Sequence, residues 1–451
     1  MRTIPFMPRQ MRPSRVLLLA ALLTTLTLIA APIGPVSGAA AVSPKDNAML
    51  AVIGNDGNVL VYDADGKNPI SVTRDAVPAV RVYQWPTWSG DGRLAFFGAS
   101  SDPADLFSLR VFIAESIQRD QPVTIRTAYT SPVDTFTYAA WSPAACAPGE
   151  DCRQLALLFT PPDPNGFGLR LIDDRAGQFS DKVIGQASPF FFDFAPDGRH
   201  MAWHQGGAQV GVYDVRRGGD PLLLADAPGK FQVPMWSPTS DNRLLIGVES
   251  PKNADLTDLV AAAAGDPAER KVLAAGLDSP LTFAWSPDGR YVAYVAGFDR
   301  VMVVDGKTAH AVRNGTSSDV VAFFWAPQSD RIAYLVVNRD TGGNQARLRS
   351  NGHTPVDQAI GGLTWHILDL ASGTDSSLVS FNPSPDMIYL LNFFDQFARS
   401  HQVWSPDGHY LAYSVMDVLG KTSVQLIDTR QPDQPPIRVG GGTLAVWGGT
   451  P

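Results

Sequence analysis

Lysine, glutamate and cysteine are the scarce residues in this chain of 451. Glutamate stands only at positions 115, 150, 249 and 269, and lysine only at 45, 67, 182, 230, 252, 271, 307 and 421. Two of the best formers of exposed helix are therefore nearly missing, which excludes a helical bundle or coiled coil. The remaining 40 acidic residues are aspartate, a residue that favours turns and strand ends over helix interiors. Charged residues make up 18% and apolar ones 45%, with 40 Gly and 36 Pro. That is too apolar for a disordered chain, and it points to an all-β protein rich in turns.

Cysteine occurs twice, at Cys146 and Cys152, and no histidine lies within forty positions of either. A metal centre built on them would lack further ligands, so no metal and no cofactor is expected there. In an exported chain, two cysteines six positions apart read as a local disulfide, a staple for one exposed hairpin.

Long apolar runs are also absent, with one exception. Arg2, Arg9, Arg12 and Arg15 precede the run from Val16 to Ile33, and the small residues Val36, Ser37, Gly38, Ala39, Ala40 and Ala41 follow. Residues 1–40 thus have the layout of a secretory signal peptide. The alternative is an uncleaved N-terminal anchor, because 18 residues just reach spanning length. Either reading places the rest outside the cytoplasm, whether secreted, periplasmic or on the cell surface. Contact with the membrane would then come only through that segment.

Removing residues 1–40 takes away four Arg and no acid, moving the formal charge from −8 to −12. An acidic surface repels phosphate backbones, and no basic run offsets it, so nucleic acid is excluded as a partner.

A repeat organises the remainder. Trp285-Ser286-Pro287-Asp288-Gly289-Arg290-Tyr291 recurs as Trp404-Ser405-Pro406-Asp407-Gly408-His409-Tyr410, with weaker copies at Trp88, Trp141, Phe194, Trp236 and Trp325. Each copy is a β-hairpin. An apolar strand ends in an aromatic, Ser-Pro-Asp-Gly turns, and an alternating strand leaves; Pro presets the second turn position and Gly accepts positive φ at the fourth. A second mark, an apolar strand ending in Asp before a turn, falls at Asp63, Asp173, Asp214, Asp305, Asp369 and Asp428. Each unit therefore reads as a four-stranded antiparallel meander.

The anchors are spaced by 53, 53, 42, 49, 40 and 79 residues, and all but the last interval suit a propeller blade. The segment Met49–Ile53 reads as the second strand of a blade without its first. The segment 443–447, ending in Trp447, reads as a first strand without the rest. Paired, they close a ring and remove two sheet edges. The expectation is a single β-propeller domain over 45–451, of eight blades, with seven as the alternative.

The Trp-Ser-Pro-Asp-Gly-Arg repeat resembles those of TolB-like propellers and of the propeller domain in prolyl-oligopeptidase-type enzymes. It departs from WD40 propellers in lacking their Gly-His and Trp-Asp pairs, and from the peptidases in lacking a Gly-x-Ser-x-Gly nucleophile turn. The resemblance implies an exported, non-enzymatic and monomeric binding scaffold for a protein, peptide or envelope polymer. A propeller-type hydrolase acting on lactones or glycans, with its site at the channel mouth, is the alternative.

The 79-residue interval holds an insertion at about 383–401. Ser384 can cap a helix and Pro385 suits its first position. Met387, Ile388, Leu390, Leu391, Phe394 and Phe397 form one apolar stripe at helical spacing. This helix should plug one end of the channel or cover a blade edge, with Asp395 and Arg399 as an i,i+4 pair. Asp395, Arg399 and His401 are the one dense mixture of acid, base and histidine, and hence the candidate ligand- or partner-binding residues. No catalytic residue stands out. His200 and His204 share a strand face without a carboxylate or third histidine to complete a metal site.

Overall fold

The computed structural model describes residues 48–146, 151–162, 166–263, 266–338 and 362–449. The signal or anchor segment expected at 1–40 lies outside the described residues.

Eight antiparallel sheets succeed one another along the chain, and they are the eight blades. Blade 1 combines Met49–Gly54, Val59–Asp63 and Ile70–Ser71 with the last strand, Gly442–Gly448. Blades 2 to 8 follow at 81–131, 135–187, 190–223, 235–277, 281–314, 320–381 and 410–440. Ring closure pairs the two terminal segments as expected, with Met49 opposite Gly448, Leu50 opposite Trp447 and Val52 opposite Ala445. Trp88, Trp141, Phe194, Trp236, Trp285 and Trp325 each end the inner strand of their blade, and Trp447 is the last residue but one of the inner strand of blade 1.

Local chemistry explains the hairpins. In blade 6 the Ser286 hydroxyl donates to Asp288 Oδ1 at 2.6 Å and accepts from the Tyr291 amide at 2.9 Å, while Gly289 takes φ +70°. These bonds tie the turn across its open end, where a strand pair would otherwise fray. The aspartates that end the third strands satisfy turn amides, as Asp305 does for Lys307 at 2.9 Å and Thr308 at 2.7 Å. In blade 3 a disulfide between Cys146 and Cys152 stands in place of the Ser-Pro-Asp-Gly turn.

The indoles of the anchors tie blade to blade. Trp141 Nε1 donates to the Thr87 carbonyl of blade 2 at 3.1 Å, and Trp404 Nε1 to the Phe324 carbonyl of blade 7 at 3.1 Å. Trp88 donates likewise to Val446 and Trp325 to Ala284, both at 3.3 Å. In each case the acceptor immediately precedes the anchor of the blade before.

Blade 8 differs from the four-stranded expectation. It has three strands, Tyr410–Met416, Thr422–Asp428 and Ile437–Gly440, and its inner position is held by two isolated bridges, Pro383 to Val415 and Trp404 to Leu411. The cause is the insertion. Helices α1, Pro385–Asn392, and α2, Phe394–Phe397, interrupt this inner strand, which leaves the sheet after Ser384 and returns to it by Trp404.

Candidate functional site

Helices α1 and α2 fill the ring's axial channel. Ser384 caps α1, accepting from the Met387 amide at 3.2 Å and donating to the Thr443 carbonyl of blade 1 at 2.6 Å. The single helix expected from the apolar stripe is broken at Phe393, whose backbone is non-helical at φ −129° and ψ 34°. The break turns Phe394 and Phe397 into the channel, where both are buried. Phe394 meets Phe323 and Phe324 of blade 7, and Phe397 meets Trp85 of blade 2 and Tyr138 of blade 3. Six to eight converging inner strands leave an apolar bore, so an aromatic plug is the complementary filling.

Trp85 reaches the plug by a distortion. It has φ +53°, in the left-handed region, where the pairing of the inner strand of blade 2 shifts register between Gln84 and Thr87. A bulge of this kind re-aims a side chain, here onto Phe397, Tyr389 and His401.

The structure brings Asp395, Arg399 and His401 together in the same plug but gives each a different partner. Arg399 does not pair with Asp395. It lies beyond α2, where it donates from Nη1 to Asp193 Oδ2 on the inner strand of blade 4 at 2.8 Å and from Nη2 to the Trp236 carbonyl of blade 5. Asp193 Oδ2 also accepts from the Trp236 amide at 2.8 Å. Burial pushes the Asp193 carboxyl up, and the Arg399 guanidinium opposes that shift.

Asp395 is 6% exposed, and its Oδ1 accepts from the Gln396 amide at 3.0 Å. Desolvation pushes its carboxyl up to about 7, because backbone amides alone answer its charge. His401 is 1% exposed, ringed by Trp85, Tyr138 and Phe397, with Nδ1 on Ser400 Oγ at 2.8 Å and no partner at Nε2. The same desolvation drives it down to about 3. His401 is therefore uncharged near neutral pH and Asp395 is protonated below about pH 7, whereas Arg399 meets the Asp193 carboxylate as the ion pair of the plug.

Other fasteners had no counterpart among the residues singled out in the sequence. Gln396 clamps the blade 4 backbone, donating to the Phe192 carbonyl at 2.7 Å and accepting from the Phe192 amide at 3.1 Å. Tyr138 Oη donates to the Gln396 carbonyl at 2.8 Å. A lone aspartate within the run Phe190-Phe191-Phe192-Asp193-Phe194 was the readable sign of Asp193, since a core strand carries a carboxylate only where a cation meets it. His200 and His204 are engaged locally. His200 pairs with Asp197 at 2.7 Å, and His204 holds the Gln232 carbonyl at 2.9 Å and stacks on Phe231.

Above the plug, the loops that join second to third strands, and each blade to the next, make one face of the ring. Loops 54–58, 74–80, 101–106 and 417–421 are laced together on this plug face. Asn55 Nδ2 donates to the Thr422 carbonyl at 3.0 Å, the Ala76 amide to Asn58 Oδ1 at 3.1 Å, and the Ser101 amide to the Val80 carbonyl at 2.8 Å. Along this arc Val418 is 95% exposed, Leu419 89%, Leu106 68% and Val77 48%. Asp417 holds the Val418-Leu419 tip in place, accepting from the Leu419 and Lys421 amides at 2.9 Å.

Comparisons with known proteins bear on the fold. A crystal structure of the eukaryotic initiation factor superposes with a TM-score of 0.51 at 12% identity, covering 90% of this chain and 98% of that one. The C-terminal WD40 domain of Sif2 gives 0.47 at 12% identity, covering 80% and 87%. The first of these likenesses carries the fold alone. With seven four-stranded blades and one of three strands closed into a ring, the fold is an eight-bladed β-propeller. No protein-family model and no curated protein matches the sequence. Among the described residues no helix is long and apolar enough to cross a membrane.

Proposed function

We propose that this chain is a non-enzymatic protein-interaction scaffold, exported and TolB-like in its repeat, which engages its partner through the plug face. The observation that carries the reading is the arc of exposed apolar side chains from Val418 and Leu419 to Leu106. These are held on loops bonded to one another rather than scattered singly. Exposed apolar side chains held on a rigid frame are what protein partners use.

The filled channel supports the same reading. Asp395, Arg399 and His401 act from beneath in this account, fixing the plug that carries the half-exposed Tyr389, while contact with the partner falls to the loops. A photo-crosslinking residue at Leu419, in the intact cell envelope, should capture one partner polypeptide. Val418→Ser with Leu419→Ser should abolish that capture. Turnover of a lactone or glycan that is lost in Asp395→Asn would overturn the reading.

A further inference from the structure

A second recessed surface lies away from the channel, between blades 1 and 2. Blade 1 ends in the two-residue outer strand Ile70–Ser71, whereas the outer strand of blade 2, Thr124–Ser131, has eight residues. So short a strand cannot cover its neighbour, and a groove of about 600 Å³ opens between the blades. Tyr83, Phe96 and Phe112 line it, and Ile125, 37% exposed, stands at its rim.

One wall is the Ile70–Ser71 strand itself, the outermost of its sheet, so one side of its backbone faces the groove without a strand partner. Arg74 and Arg119 line the groove against one acid, Asp75, in a chain of net charge −8. Asp75 is already engaged, accepting from Tyr83 Oη at 2.8 Å and pairing with Arg81 at 2.8 Å. Arg119 is tied to Asp63. Arg74 is exposed and forms no ion pair among the described residues.

We propose that this groove is a separate binding site, which takes an extended peptide as an added strand along Ile70–Ser71, with an apolar side chain on the aromatic floor and a carboxylate at Arg74. An open strand edge favours a peptide over a small apolar anion, because main-chain hydrogen bonds supply the affinity and the floor supplies the selectivity. The volume is in the range that holds a few residues of a bound ligand. The groove meets the plug face at Arg74 and Asp75 and runs from there along the outer strand of blade 1, and neither assignment needs the other.

Panning a displayed library of random dodecapeptides against the whole protein tests it. The expected consensus alternates apolar residues with Asp or Glu. Affinity should fall at least about tenfold in Arg74→Glu and recover there when the acid is replaced by Lys. Ile125→Trp, which fills the rim, should abolish binding, and methylating alternate backbone amides of the peptide should do the same. Both substitutions lie at exposed positions, and an unchanged thermal midpoint verifies the fold. No enrichment, a consensus indifferent to both substitutions, or full competition by a fatty acid that tolerates the loss of the strand edge would overturn the assignment.

Discussion

The interfaces among blades 4 to 6 and those of most of the ring solve the same packing problem differently. Between blades 1 and 2, 2 and 3, 6 and 7, and 7 and 8, an anchor indole donates to the backbone of the preceding blade. At the other tryptophan anchors, Trp236, Trp285 and Trp447, the indole nitrogen is buried and without a partner. These are the interfaces between blades 4 and 5, 5 and 6, and 8 and 1, and their apolar cores are separate from the large cluster that includes the plug. Four of the five blade edges that share their core with the plug are thus also laced by an indole, the exception being the edge between blades 3 and 4, whose anchor is Phe194. At the edge between blades 4 and 5 the plug supplies a substitute, Arg399, which bridges Asp193 and the Trp236 carbonyl. The difference teaches that a ring of similar repeats need not be evenly held, and that one inserted arginine can stand in for a missing repeat contact.

The largest expected effect follows from removing that substitute. Arg399→Ala leaves Asp193 buried and uncompensated, at a cost of about 3 to 5 kcal/mol in urea unfolding. Replacing both partners, Arg399→Met with Asp193→Leu, should cost much less. If hydrogen exchange then shows amides of blades 1 to 3 loosening as much as those of blades 4 and 5, the contrast between the sectors fails.

Next come the two uncharged titratable groups of the plug, which act in opposite directions. Asp395 keeps its proton when folded up to about pH 7, whereas the unfolded chain releases it near 3.8. Its contribution is full below that lower value and is lost as pH rises to about 7. His401 stays neutral when folded down to about pH 3, whereas the unfolded chain protonates near 6.5. Its contribution is full above 6.5 and is lost as pH falls toward 3. The two slopes oppose one another between about pH 4 and 6.5, so the wild type should show a nearly flat urea midpoint there. Asp395→Asn should leave stability that rises with pH across this window, and His401→Gln stability that falls. Parallel slopes in the two variants would contradict the assignment.

A smaller effect separates laced from unlaced anchors. Trp141→Phe and Trp285→Phe remove similar ring volume, but only the first removes a donated hydrogen bond. Trp141→Phe should therefore be the more costly by about 1 kcal/mol. The smallest effect belongs to the plug face, where Val418→Ser with Leu419→Ser should shift stability by less than about 0.5 kcal/mol while removing partner capture.

Much of this architecture was legible before any coordinates. The eight anchors gave the blade count, because the aromatic that ends each inner strand and the turn after it are local features that recur. The closing strand was legible for the same reason, as a fragment of the repeat at each end of the chain. The plug was legible as a helix, from Ser384 at its cap and the stripe from Met387 to Phe397, but not its break at Phe393. Helical spacing reports which residues are apolar, not which blades Phe394 and Phe397 will meet.

The partners of the plug were harder to read. Arg399 and Asp193 are 206 positions apart, and Tyr138 and Gln396 are 258 apart. An acid four positions from a base suggested a local pair, yet the helix ends before Arg399 and the base reaches a buried carboxylate instead. Burial decides that competition, since an uncompensated Asp193 within the ring would cost far more than an unpaired group at a solvated helix surface.

The sequence by itself determined the blades, their number and their closure, because those depend on turns, strand ends and aromatic positions within a few tens of residues. Only the tertiary structure decided which indoles find an acceptor, which carboxyl stays uncharged and which cation holds the plug. Those outcomes depend on how inner strands from every side crowd one axis, where distance and desolvation, not sequence neighbours, set the partners.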